Sequence, residues 1–99
     1  MRVISRKPLR EFWESAAGRA AEQPLKAWLR ETEEAFWKGP HDVKAHYSTV
    51  SILKNGRVVF NIGGNKFRLV AAIRYDIRII FIRFIGTHAQ YDGIDAQEI

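Results

Sequence analysis

The sequence predicts an α+β fold, with an N-terminal β-strand and an αα-hairpin packed on one face of a mainly antiparallel sheet, in the order β-α-α-β-β-β-β. Three observations carry this. Apolar residues recur at helical spacing before Lys38. After Ser48, β-branched and aromatic residues gather in short runs with partial alternation. Those runs are separated by Asn55-Gly56, Gly63-Gly64-Asn65 and Asp76-Ile77-Arg78, which read as hairpin turns.

Each element follows from local chemistry. Met1 to Ser5 is short and mostly apolar, and Val3 and Ile4 suit a strand that joins the sheet from outside the main meander. Ser5 offers an N-cap, and Pro8 is tolerated in a first helical turn. Leu9, Phe12, Trp13, Ala16 and Ala17 then form one helical stripe, which Gly18 ends. A second helix is expected from about Ala20 to Lys38, with Pro24 in its first turn. Leu25, Trp28, Leu29 and Phe36 mark its buried face, and Gly39-Pro40 stops it. Asp42 is placed to cap one turn that packs Val43 and Tyr47. Thr49 to Leu53 and Val58 to Ile62 are the next strands, joined by an Asn-Gly turn whose two central positions need positive φ. Phe67, Leu69, Ala71, Ile73 and Tyr75 should face the core, with Lys66, Arg68, Val70, Ala72 and Arg74 on the opposite face. Ile79 to Thr87 is apolar on both faces except at Arg83, as a central strand should be. His88 to Ile99 carries three acids and no base, with room for one helical turn.

At 99 residues with 46% apolar content, one domain over 1–99 is expected. The absence of cysteine excludes disulfides and thiolate metal sites and is compatible with a reducing cytoplasm. The N-terminus has no signal-peptide core, and the apolar runs at Leu69–Ile73 and Ile79–Ile82 are far too short to span a membrane. The expected location is therefore cytoplasmic. The net charge of +5 is unevenly spread. From Lys54 to Arg83 there are seven basic side chains and one acid, while the rest of the chain sums to −1. Such a segregated field on a half-buried sheet suits a nucleic-acid partner, with an acidic protein surface as the second choice.

Arg83 is the most informative side chain. An arginine among apolar strand residues either pairs with a carboxylate such as Asp92 or opens onto a groove where its fork grips phosphate. Lys66 and Arg68 share a face with one another. Lys54, Arg57 and Arg74 extend the patch as RNA-binding positioners. His88 and Asp92 stand at i and i+4, with Tyr91 beside them. That spacing fits proton transfer by His88 oriented by Asp92, and equally a structural pair. Gly63-Gly64-Asn65-Lys66 lacks the spacing of a phosphate loop and reads as a tight turn. His41, His46 and His88 make no convincing metal set, and no cofactor is called for. Trp13, Trp28 and Trp37 read as core or interface.

The segments MRVISRKPLREFWE, AEQPLKAW, HDVKAHY, RVVFNIGGNKFRLV and IRFIGTHAQYD together resemble the HigB toxins of type II toxin–antitoxin systems, in the RelE/ParE-like group. The resemblance spans almost the whole chain, and FNIGGNKFRLV with FIGTHAQYD is its most specific part. It implies a RelE-like domain that cleaves mRNA on the translating ribosome. It also implies a HigA-like helix-turn-helix antitoxin as partner, and operator DNA contacted only through the antitoxin complex. The implied chemistry is metal-free attack of a ribose 2′-hydroxyl on phosphorus. Arg68 and Arg83 would stabilise the phosphorane with support from Lys66. His88, with Tyr91 as second choice, would move the proton, and Asp92 would orient His88. Two competing expectations keep the fold without the reaction: a non-catalytic RelE/ParE-like inhibitor, and a basic RNA-binding module.

Overall fold

A computed structural model describes residues 1–99. Strands β1 (Arg2–Ile4), β2 (Ser51–Ile52), β3 (Arg57–Ile62), β4 (Phe67–Arg74) and β5 (Ile79–Thr87) form one sheet in the spatial order β1-β5-β4-β3-β2. The pairs β2/β3, β3/β4 and β4/β5 are antiparallel; β1 adds in parallel to the outer edge of β5. The turns work as their residues dictate. Asn55 and Gly56 sit at φ 59° and 71°, and Arg57 N–H donates to the Lys54 carbonyl across them. Gly63 and Gly64 supply the positive φ of the β3–β4 turn. Between β4 and β5 the left-handed residue is Arg78, at φ 58°.

One face of the sheet is the core face. Val58, Phe60 and Ile62 of β3 lie there with Phe67, Leu69, Ala71 and Ile73 of β4. On β5 the pattern slips. Ala71 pairs with Ile82 and Val70 with Phe84, so Arg83 is the extra residue of a β-bulge. Strict alternation would have put Ile79, Phe81, Arg83 and Ile85 on one side. The bulge instead sends Ile80, Ile82 and Ile85 to the core, while Phe84 packs on the other face.

The helices are α1 (Lys7–Glu14), α2 (Glu22–Glu34), α3 (Pro40–His46) and α4 (His88–Asp92). Both long helices are shorter than expected. α1 stops at Glu14, and Ala16 and Ala17 are exposed. The Ser15 hydroxyl donates to the Phe12 carbonyl at 2.6 Å and accepts from Gly18 N–H at 3.1 Å. A side chain thus takes a carbonyl that another helical turn would have used. Ser5 does not cap α1 in the expected way; the cap position is Arg6, and the Ser5 hydroxyl accepts only from Lys7 N–H. A 3₁₀ turn at Arg19–Ala21 leads into α2, with Pro24 in the first turn as expected. α2 ends four residues early because the Met1 amino group donates to the carbonyls of Thr32 and Ala35, at 3.2 and 2.7 Å. Phe36 is consequently 52% exposed rather than buried, and Trp37 enters the core in its place. Pro40 opens α3 rather than closing α2, at a position where its missing N–H costs nothing. Asp42 accepts from Lys38 N–H and braces the loop ahead of α3, whose Val43 is buried.

Leu9, Leu25, Trp28, Trp37 and Val43 cover the core face, and Trp28 meets Phe60 edge-on at 5.2 Å between ring centres. The opposite face is not wholly open. Ile94, Ala96 and Ile99 of the C-terminal tail pack with Val59, Val70, Leu53 and Phe84 into a second, smaller apolar cluster. No helix is long and apolar enough to cross a membrane.

Candidate active site

The site is assembled where the β3–β4 turn meets the start of α4. His88 N–H donates to the Lys66 carbonyl at 3.2 Å, and Phe67 pairs with Thr87 directly beneath. This main-chain bond carries the β4/β5 pairing one step further and joins the GGNKFR turn to the start of α4. Lys66 is exposed there and joins no ion pair.

Arg68 points to the face away from the core, opposite Asn61 and Gly86. Its guanidinium is held by the turn that precedes it. One terminal nitrogen donates to the Asn65 carbonyl at 3.1 Å, and the other to Asn65 Oδ1 at 2.8 Å. The arginine is thus oriented without being neutralised, since both acceptors are uncharged. Asn65 was read from the sequence only as a turn residue. The signal was its place three residues before an outward arginine.

α4 is short, and its start is fixed by reciprocal capping. The Thr87 hydroxyl accepts from Gln90 N–H at 3.1 Å, and Gln90 Oε1 accepts from Thr87 N–H at 2.8 Å. The T-x-x-Q spacing announces this cap, and it turns the single helical turn expected from the sequence into a defined support. Gly86 makes it fit. A Cβ there would lie 2.6 Å from the Phe84 ring and 2.7 Å from Gln90 Oε1. His88 and Asp92 share a face, with Nδ1 to Oδ2 at 3.3 Å, and both are well exposed. Tyr91 is half-buried, its ring 6.4 Å from that of Phe84.

Arg83 lies further along the same outer face. It is exposed, it joins no ion pair, and its guanidinium lies 5.7 Å from the centre of the Phe81 ring. The pairing with Asp92 entertained above is not made; Asp92 contacts His88 instead. Three residues separate Arg83 from Gly86, the partner of Arg68, which is roughly 10 Å along a strand. The two arginines therefore share a face without sitting side by side.

The other expected cations are not part of this corner. Arg74 lies at the far end of β4 and is bound through two nitrogens to both oxygens of Asp76, at 3.1 and 2.9 Å. That bond and charge hold the Asp76 carboxyl below its ordinary range. Arg57 donates to the main-chain carbonyls of Ile99 and Asn55, at 2.7 and 2.8 Å, and so ties down the tail. Lys54 stands exposed at the β2–β3 turn, also away from His88.

Comparison with known proteins places this geometry in context. Residues 21–94 match the family model described as HigB_toxin, the RelE-like toxic component of a toxin–antitoxin system. The mRNA interferase toxin HigB of Escherichia coli strain K12 is 30% identical over 98 residues, covering 97% of this chain and 92% of that protein. The mRNA interferase HigB of Shigella flexneri matches to the same extent. A further mRNA interferase HigB, from Escherichia coli O6:H1, is 27% identical over 96 residues, with 95% and 91% coverage.

Proposed function

This chain belongs to the HigB family of RelE-like toxins, and on that premise we propose that the corner between the β3–β4 turn and α4 is where it cuts messenger RNA. The protein is the toxin of a toxin–antitoxin system and an endoribonuclease of the mRNA interferase class, with a cognate antitoxin as partner. The reaction proposed is an internal transesterification on ribosome-bound mRNA. A ribose 2′-oxygen bonds to the adjacent phosphorus, the bond from phosphorus to the 5′-oxygen breaks, and a 2′,3′-cyclic phosphate and a 5′-hydroxyl result. One proton leaves the 2′-hydroxyl and one must reach the departing oxygen.

The observation that supports this reading most is the bond from His88 N–H to the Lys66 carbonyl, because it gathers Lys66, Arg68 and His88 at one sheet corner. Asp92 beside Nδ1 favours the tautomer with its proton there and leaves Nε2 free to exchange a proton with substrate. Tyr91 is the second proton-transfer group within the same helix. Lys66 and Arg68 face the charge that builds on the phosphorane oxygens, where donors fixed in advance are most effective. Arg83, without a partner of its own, clamps a phosphate from the middle of the face.

The test is to add purified protein to a cell-free translation reaction and map the 5′ ends of a reporter mRNA. A second tube holds the same mRNA with EDTA and no ribosomes. New ends only during translation are expected, and His88→Ala should abolish most of them while the protein stays folded. New ends in both tubes would mean cleavage without the ribosome. Arrested translation with intact mRNA would make the same surface a docking face and refute the catalytic reading.

A further inference from the structure

The end of the sheet remote from His88 carries a second surface that RNA cleavage does not use. It lies about 23 Å away by the length of β4. There the loop after α2 and the β4–β5 turn enclose a groove of about 540 Å³, lined by Phe36, Trp37, Lys38, Tyr75, Asp76 and Arg78. Two large apolar side chains are exposed at this end, Phe36 at 52% and Ile77 at 51%. Exposed apolar surface rimmed by charge marks an interaction site more often than chance placement does.

Its chemistry is specific. The Arg78 guanidinium lies over the Phe36 ring, 4.0 Å from its centre, and the Lys38 ammonium stands 6.0 Å from the same centre. Arg78 donates no side-chain hydrogen bond and joins no ion pair, so its fork is flat, oriented and unfilled. The one acid here, Asp76, is spent on Arg74. The groove therefore offers two cations, and the turn that forms one wall exposes the aliphatic Ile77 beside it. A base would need a free aromatic face. Phe36 is attended by both cations, Trp37 is buried and Tyr75 is half-buried. Two unfilled cations beside an exposed aliphatic residue, with no aromatic face for a base, match an acidic residue next to an aliphatic one on a protein better than an RNA strand.

We propose that this groove is a docking surface for the antitoxin, which engages it through a segment carrying Asp or Glu beside an aliphatic residue. The identity of the partner rests on the toxin assignment above. The experiment compares Ile77→Asp, Arg78→Glu and Lys38→Glu toxins with wild type. Antitoxin affinity is read by titration, and growth arrest by induction with and without the antitoxin. Each variant should arrest growth as wild type does, bind the antitoxin at least about tenfold more weakly, and resist its rescue. His88→Ala should bind the antitoxin normally. Lys38→Glu keeps the test sound should a turn variant misfold, because its side chain is exposed. Unchanged antitoxin binding in folded variants overturns the proposal. Lost arrest with unchanged binding also overturns it and makes the groove an RNA surface. A wild-type protein that arrests nothing would instead refute the toxin assignment, whatever the variants bind.

Discussion

Gly86→Ala tests whether α4 is a built support or an incidental turn. The backbone at Gly86 lies outside the left-handed region, so alanine can adopt it, and the obstacle is space. The new methyl group would meet the Phe84 ring at 2.6 Å and Gln90 Oε1 at 2.7 Å. Both must move. Displacing Gln90 forfeits its bond to Thr87 N–H, which is worth about 1 kcal/mol at an exposed cap. Tilting Phe84 away from Val70 and Tyr91 costs another 1–2 kcal/mol or so, typical of overpacking. Replacing glycine returns about 0.4–1 kcal/mol through the unfolded chain. The net loss is then about 1–2.6 kcal/mol, or roughly 4–20 °C in Tm for a chain of this size. Most molecules remain folded at 25 °C, yet mRNA cleavage should fall by about 10- to 100-fold, because His88 and Tyr91 hang from the displaced helix. Thermal denaturation followed by circular dichroism gives the first number, and single-turnover cleavage of ribosome-bound mRNA the second. A Tm drop with cleavage within twofold of wild type would refute the claim that this contact places the reactive side chains. No change in either would refute the packing itself.

Four further outcomes follow from the same geometry. Gly18→Ala should be worse than Gly86→Ala for stability, about 3 kcal/mol or more, because its Cβ would lie 2.1 Å from the Phe12 carbonyl oxygen and backbone cannot swing aside; equal Tm values for the two variants would contradict this. Asn65→Ala should leave Tm within a few degrees but cut kcat, since Arg68 loses the Oδ1 acceptor and keeps only the main-chain carbonyl to aim it, and Asn65→Asp should restore part of the rate. At high pH, stability should fall. Burial and the bond to Glu31 push the Tyr47 hydroxyl upward, and burial does the same at Tyr75, so the neutral phenols favour the folded state. This contribution is complete below about pH 10 and is lost as pH rises beyond it, so Tm should decline there, less so in Tyr47→Phe. Arg83→Ala should change stability by less than about 0.5 kcal/mol, having no partner to orphan, and still impair cleavage; a larger drop in denaturant midpoint would make its stem over Phe81 structural.

The elements were legible where local chemistry decides them. Asn55-Gly56 needed two positive φ values and has them, and the Gly63-Gly64 turn likewise. The alternation of β4 showed which side carries Phe67, Leu69 and Ile73. What stayed hidden was decided by distant groups. The end of α2 depends on a donor from Met1, more than thirty residues away in sequence, so a stripe extending to Phe36 was misleading. The tail looked merely acidic, because Ile94, Ala96 and Ile99 are too sparse to announce a face. Only the sheet beneath them makes them a cluster. The pairing of β4 with β5 and the bond from His88 N–H to the Lys66 carbonyl bring the two motifs side by side, with His88 beside Asp92. Arg74 and Arg57 were lost to partners, Asp76 and the Ile99 carbonyl, that a linear reading could not rank.

The bulge in β5 shows how one charged side chain and the fold can settle each other. Counting back from Phe84 and Gly86, which face away from the core, strict alternation would turn Ile82 and Ile80 outward and point Arg83 and Phe81 inward. That arrangement would exchange the buried Ile80 and the partly buried Ile82 for a phenylalanine and a guanidinium with no carboxylate near it, at a cost of several kcal/mol. One extra residue reverses the outcome. Ile82 and Ile80 return to the core opposite Ala71 and Ile73, and Arg83 is left outside, unmatched by any residue on β4. The sequence Ile80-Phe81-Ile82-Arg83-Phe84-Ile85 thus carries its own reason to slip. The slip gives the outer face the one arginine that neither the turns nor the tail engage, and a free guanidinium on a fixed strand is what a passing phosphate requires.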